Sequence, residues 1–217
     1  MIELFEKWYP LVLYIAEGAF VNIYYTFISV SIGLIFAIFL ALGKVSKSKA
    51  LRFLSNLYTS IFRGTPLLIQ LFIIYYVLPG VLNIKISVFM AAITALSLNS
   101  AAYVSEILRS GINAVDKGQF EAAKALGLPQ YLIMKDIIFP QAICKILPSL
   151  INELINMLKE TAVISMIGEV DILKRAQLVA GEQYNYLIPM LTAAICYYVI
   201  VLVLTWTSSS VEKRIAL

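Results

Sequence analysis

The chain has 217 residues, 61% of them hydrophobic and 14% charged, whereas a soluble domain carries about 45–50% apolar and about 25% charged residues. Water is therefore not its main solvent. With no histidine and only Cys144 and Cys196, both in apolar stretches, the chain cannot build the common catalytic triads, a four-ligand zinc site or a disulfide framework. The net charge of +4 is, in such a chain, a question of which membrane face carries it rather than a sign of nucleic acid. No low-complexity run or solenoid repeat is present, so the chain reads as a single domain, 1–217.

A helix that spans a bilayer needs about 20 mostly apolar residues. Five stretches qualify, at about 18–43, 55–80, 86–108, 141–166 and 187–211, which predicts an all-α integral membrane protein of about five transmembrane helices. The N-terminus, with Glu3, Glu6 and Lys7 before Pro10, lacks the basic segment of a cleavable signal peptide and is expected to be retained. Lys44, Lys47, Lys49 and Arg52, then Arg109, Lys117, Lys124 and Lys135, and finally Lys213 and Arg214 cluster in alternate connections. The opposite side receives only Lys7, Lys85, Lys174 and Arg175. Under the positive-inside rule the first group is cytoplasmic, which places the N-terminus outside and the C-terminus in the cytoplasm. Trp8, Tyr9, Tyr184, Tyr186 and Trp206 fall near the predicted interfaces, as aromatic belts do.

Polar residues interrupt three of the spans. In the second, Arg63-Gly64-Thr65-Pro66 is followed by Gln70, and a proline without an N–H beside a glycine predicts a break or kink. Arg63 and Gln70, seven residues apart, would share nearly one face and line a pathway, unless Arg63 only snorkels to the headgroups. In the third, Asn99, Ser100, Tyr103 and Glu106 share an arc. Asn99 reads equally as an interhelical hydrogen bond or a substrate contact, and Glu106 as an interfacial charge beside Arg109. In the fourth, Ser149, Asn152, Glu153, Asn156, Lys159 and Glu160 fall within a roughly 120° arc at about 100° per residue. Charges at that depth must be paired or wetted, so the stripe faces the protein interior or an aqueous cavity. The competing reading is a structural contact of Lys159 with Glu160 or Glu153.

The long connection between the third and fourth spans, Gly111 to Pro140, contains a predicted short helix at Gly118 to Leu126, ended by Gly127 and Pro129. Its alanines offer a small flat face suited to a groove on another protein. The spacing Glu121-Ala122-Ala123, three residues, Gly127, nine residues, then Ile137-Ile138-Phe139-Pro140 resembles the loop signature of the membrane subunits of ABC importers, with Phe139 in place of leucine. Arg63 to Gln70 and Leu158-Lys159-Glu160-Thr161 are similar to the polar amino acid branch of that family, so the resemblance covers nearly the whole chain.

This resemblance implies a type I ABC importer permease fold in the bacterial plasma membrane, multi-pass. It also implies a second permease subunit, identical (a homodimer) or a similar paralogue, two ABC ATP-binding subunits, and an extracytoplasmic amino-acid-binding protein. Glu121, Ala122, Ala123, Gly127 and Pro140 would then couple the chain to the ATPase. The chain has no G-x-x-x-x-G-K-[ST] phosphate loop, so it is expected to be no enzyme itself and to hold no cofactor, ATP and magnesium lying on the partner. For the cargo, Glu153 and Glu160 could hold cationic groups, Asn99 and Asn156 could add amide hydrogen bonds, and the carboxylate could use backbone N–H groups at the break near Pro66, or Arg63 or Lys159, with Asn152, Gln70 and Tyr103 as further candidate contacts. Glu153 favours a basic amino acid. An autonomous channel or ion-coupled amino acid carrier is the alternative, in which Glu153, Lys159 and Glu160 are ion sites and the loop signature has no role.

Overall fold

A computed structural model describes the backbone of residues 2–215 and the side chains of residues 6–209. Glu3, Lys213 and Arg214, used above in reading the termini, lie outside the described side chains. Among the described residues the protein is wholly helical, in nine helical segments: α1 (Ile2–Glu17), α2 (Ala19–Val45), α3 (Lys49–Gly64), α4 (Leu67–Leu82), α5 (Val88–Asn113), α6 (Lys117–Ala125), α7 (Gln130–Ile167), α8 (Ile172–Gln183) and α9 (Leu187–Ile215). Four stretches are long and apolar enough to cross a membrane, Glu6–Val45, Val88–Asn113, Gln130–Ile167 and Leu187–Ser209. A fifth is complete if α3 and α4 form one broken span.

The first expected span, 18–43, begins earlier than its apolar run indicates, because α1 continues into α2 through a turn at Gly18. A Cβ on Gly18 would lie 2.5 Å from the backbone nitrogen of Ile172, so only glycine lets the start of α8 approach here. α1 buries Ile15, with Trp8, Leu11 and Tyr14 half-buried, against Ile172, Ala176, Val179 and Ala193 of α8 and α9. Arg175 locks this contact, donating to the Tyr14 carbonyl at 2.8 Å and to Glu17 at 2.9 Å, with its guanidinium 4.6 Å from the Tyr14 ring centre.

The second span is not one helix. Thr65 and Pro66 are both extended, and α3 meets α4 at 104°. The cause is local: proline forces its predecessor out of the helical region and offers no N–H. Two further prolines are absorbed differently. Wide π turns at Ile73–Val77 and Ile133–Ile138 end two positions before Pro79 and Pro140, and both helices run on. As a result the fourth span starts at Gln130 rather than near 141. Gly111 and Pro140, the expected loop ends, lie inside α5 and α7, and the connection shortens to residues 114–129 with α6 at its centre.

The most extensive packing is between α2 and α5, where the backbone at Gly33 lies against Ser97 and Ser100; Ser29, Ala37 and Ala101 on these helices are also buried. Small residues let membrane helices approach closely where no hydrophobic effect drives them together. Polar side chains tie the remaining helices. Asn22 donates to Thr161 at 2.8 Å, Tyr197 at 2.9 Å and Asp171 at 3.1 Å, and accepts from the Ile172 N–H at 3.1 Å, joining α2, α7, α8 and α9 at one buried point. Lys44, assigned above to a loop, is buried at the end of α2 and pairs with Glu106 at 2.6 Å, while Arg109 holds the second Glu106 oxygen at 2.8 Å. Glu106 is therefore a bridge between α2 and α5 rather than a free interfacial charge.

Candidate functional site

The polar stripe of α7 opens onto a cavity of about 510 Å³ lined by Tyr103, Glu153, Asn156, Lys159 and Glu160, within the size range of small-molecule sites. Helical spacing places these α7 residues on one face, and α5, packed beside it, contributes Tyr103. Glu153 is buried at 7% exposure, whereas Asn156 and Lys159 are exposed. No ion pair consumes Glu153, Lys159 or Glu160 among the described residues. The Arg63 guanidinium lies 5.2 Å from the Tyr103 ring centre. The cavity thus holds two carboxylates, one amine, one amide and a ring, with a guanidinium at its margin. Such a set can pair both ends of a zwitterion. Asn152 is exposed on the same helix but does not line the cavity.

Gln70 and Asn99 are placed elsewhere. The bend turns Gln70 away from the face it would share with Arg63 on a straight helix, and its amide nitrogen donates to the Phe62 carbonyl at 2.9 Å, the Thr65 carbonyl at 3.0 Å and the Thr65 hydroxyl at 2.9 Å. Asn99 donates to the Gln70 amide oxygen at 3.3 Å. Both side chains are buried. The pair therefore satisfies the carbonyls that the break at Pro66 leaves without partners, and it fixes the end of α3 that carries Arg63.

The connecting helix α6 has a complete set of end signals. Asp116 caps its start, accepting from the Gly118 N–H at 2.7 Å. At its end the Leu128 N–H reaches the Ala123 carbonyl at 3.2 Å and the Gly127 N–H reaches Lys124 at 3.0 Å, a Schellman closure. Gly127 sits at φ 76°, a left-handed conformation that glycine adopts without the Cβ penalty. This explains the fixed distance from Ala123 to the glycine. The alanine face is divided: Ala123 is buried with Val115, Ile133, Ile138 and Ile146, whereas Glu121, Ala122, Leu126 and Tyr131 are exposed. Lys145 donates to the Ala114 carbonyl and ties the connection to α7.

The polar point at Asn22, Asp171, Thr161 and Tyr197 is absent from the sequence reading. A signal for it existed, an asparagine within an apolar span, but its partners lie far away in the chain.

Residues 33–217 match the family described as binding-protein-dependent transport system inner membrane component. The chain belongs to this family. Its relatives include the Rickettsia conorii permease protein GlnP, named for a glutamine transport system, 56% identical over 99% of this chain and 98% of its own. The arginine transport system permease protein ArtQ of Bacillus subtilis is 47% identical over 97% and 96%. Among solved structures, the crystal structure of an amino acid ABC transporter with histidines superimposes with a TM-score of 0.91 at 39% identity, covering 99% of this chain and 98% of that one. The MetNI methionine ABC transporter shares the fold, with a TM-score of 0.70 at 18% identity. The permease is thus a multi-pass inner-membrane subunit of an ABC importer with the type I fold.

Proposed function

We propose that this permease passes polar L-amino acids, with a preference for basic ones, from an extracytoplasmic binding protein into the cytoplasm by alternating access. The observation that carries the cargo assignment is the convergence of Tyr103, Glu153, Asn156, Lys159 and Glu160 on one cavity. A dehydrated amino acid needs a partner for each charged group. Here Glu153 and Glu160 meet the cationic groups, Lys159 and the nearby Arg63 the carboxylate, and Asn156 and Tyr103 add hydrogen bonds. The names of the glutamine and arginine relatives support a polar amino acid.

The N-terminus is outside and the C-terminus cytoplasmic in this reading, following the distribution of lysine and arginine. Two permease subunits, identical or paralogous, then enclose the pathway. A separate ATP-binding subunit docks on Glu121, Ala122 and the exposed end of α6, and its closure on ATP moves α5 and α7 through this lever. ATP and magnesium belong to that subunit.

The test is ligand-stimulated ATP hydrolysis by the reconstituted complex across arginine, lysine, histidine, glutamine and glutamate. Glu153→Gln is expected to lower the preference for arginine over glutamine by about tenfold, the effect of losing one charge-assisted hydrogen bond. An unchanged preference would remove Glu153 from the specificity assignment.

A further inference from the structure

A second cavity, of about 420 Å³, opens where the starts of α2 and α5 meet the turn that follows α7, and it is lined by Phe20, Val21, Tyr24, Tyr25, Phe89 and Glu169. All three chain segments lie at the end of the bundle opposite to α6, because α2 and α5 start there and α7 ends there. Three rings form one cluster. Tyr25 and Phe89 have centroids 5.5 Å apart, and Tyr24 lies 6.1 Å from each of them. The single carboxylate, Glu169, accepts from the Tyr25 hydroxyl at 2.7 Å. No lysine or arginine pairs with Glu169 among the described residues, so its charge is left to the cavity.

Ring faces carry the negative part of the aromatic quadrupole, and a carboxylate fixed beside them makes a binding place for a cation. An interfacial aromatic belt accounts for Phe20 and Tyr24, which are mostly exposed. It does not account for Tyr25, which is 3% exposed and places its hydroxyl on a carboxylate within the ring cluster.

We propose that this cavity is an outer solute site that takes the side-chain ammonium or guanidinium of a basic amino acid on its way to the cavity at Glu153. The α-ammonium of any amino acid is already balanced by its own carboxylate, so the net charge that distinguishes a basic solute is on its side chain. The inference rests on the transport reading and on the orientation given above, and it adds a second place where that cation is recognised. A lysine or arginine of the binding protein would satisfy the same chemistry, so the test separates the two sources.

The experiment uses the complete transporter, permease with ATP-binding subunit, in lipid nanodiscs, titrated with L-arginine and L-glutamine without binding protein. Glu169→Gln keeps an acceptor for Tyr25 while removing the charge. The arginine preference is expected to fall about tenfold in Glu169→Gln and several-fold in Phe89→Leu. Equal losses for both solutes would overturn the site, as would an effect seen only after the binding protein is added, which would assign the cation to that protein. No change in any variant would leave the rings as interfacial anchors and also overturn it. A wild-type complex that binds neither solute overturns the transport reading and the outer site together. One that discriminates through Glu153 but not through Glu169 overturns the outer site alone.

Discussion

Single residues in the connecting helix divide into those that face a partner and those that hold the chain. Gly127 is held left-handed at φ 76° by the closure on Ala123 and Lys124, and a side chain there costs about 1 kcal/mol or more. Gly127→Val is therefore expected to fray the end of α6 and reduce recovery of the ATP-binding subunit with the permease, while the permease alone remains monodisperse. Ala123→Leu should behave in the opposite way. Ala123 is buried against the α7 side chains, and overpacking costs about 1–3 kcal/mol, so the thermal midpoint of the isolated permease falls. A further single-residue effect is at Asp171, which is fully buried. Burial raises its carboxyl above the usual aspartate range, against the lowering effect of the Lys174 N–H, Asn22 and Tyr197 bonds. A raised folded pKa favours folding at acid pH and loses that contribution as pH rises through it. Melting curves from acidic to neutral pH should show this fall in the wild type, and Asp171→Asn should remove it.

At the scale of elements, the broken second span depends on side-chain amides. Gln70 supplies the hydrogen bonds that the chain loses at Thr65 and Pro66, and Asn99 anchors Gln70 to α5. Gln70→Leu leaves carbonyls without partners in a membrane setting, at about 1–3 kcal/mol for each buried group left unsatisfied. It should lower the thermal midpoint and, by releasing the end of α3 with Arg63, reduce amino acid uptake even in the fraction that stays folded. Uptake per folded transporter in proteoliposomes, scaled to a calibrated band on a gel, checks this. Unchanged uptake would separate the break from the cavity. The break itself was legible, because Gly64 and Pro66 disfavour a helix by covalent geometry alone. Its angle was not, since it depends on where α4 packs against α5.

For the whole molecule, the orientation is a consequence of summed charge and has a direct check. After replacement of Cys144 and Cys196 by serine, a cysteine at Gln119 should react with an impermeant thiol reagent only in inside-out vesicles. A cysteine at Tyr184, which is 96% exposed, should react only in right-side-out ones. The reverse pattern would invert the topology and remove the coupling assignment of α6.

Sequence by itself determined the solvent of this protein, its helical class, the break at Gly64 to Pro66 and the signature spacing of Glu121, Ala122, Ala123 and Gly127, because these follow from transfer free energies, backbone sterics and local capping. It also placed Glu153, Asn156, Lys159 and Glu160 on one face, since helical periodicity is a local property. Tertiary structure alone decided that Tyr103 lines the same cavity with Arg63 beside its ring, that the Gln70 amide bonds at the break and takes a bond from Asn99, and that Lys44 is buried on Glu106. It also brought Asn22 onto Thr161 and Asp171 across 139 and 149 positions of chain. Those pairings are set by how helices pack, and no periodicity within one helix records which residue of a distant helix will supply its missing hydrogen bond.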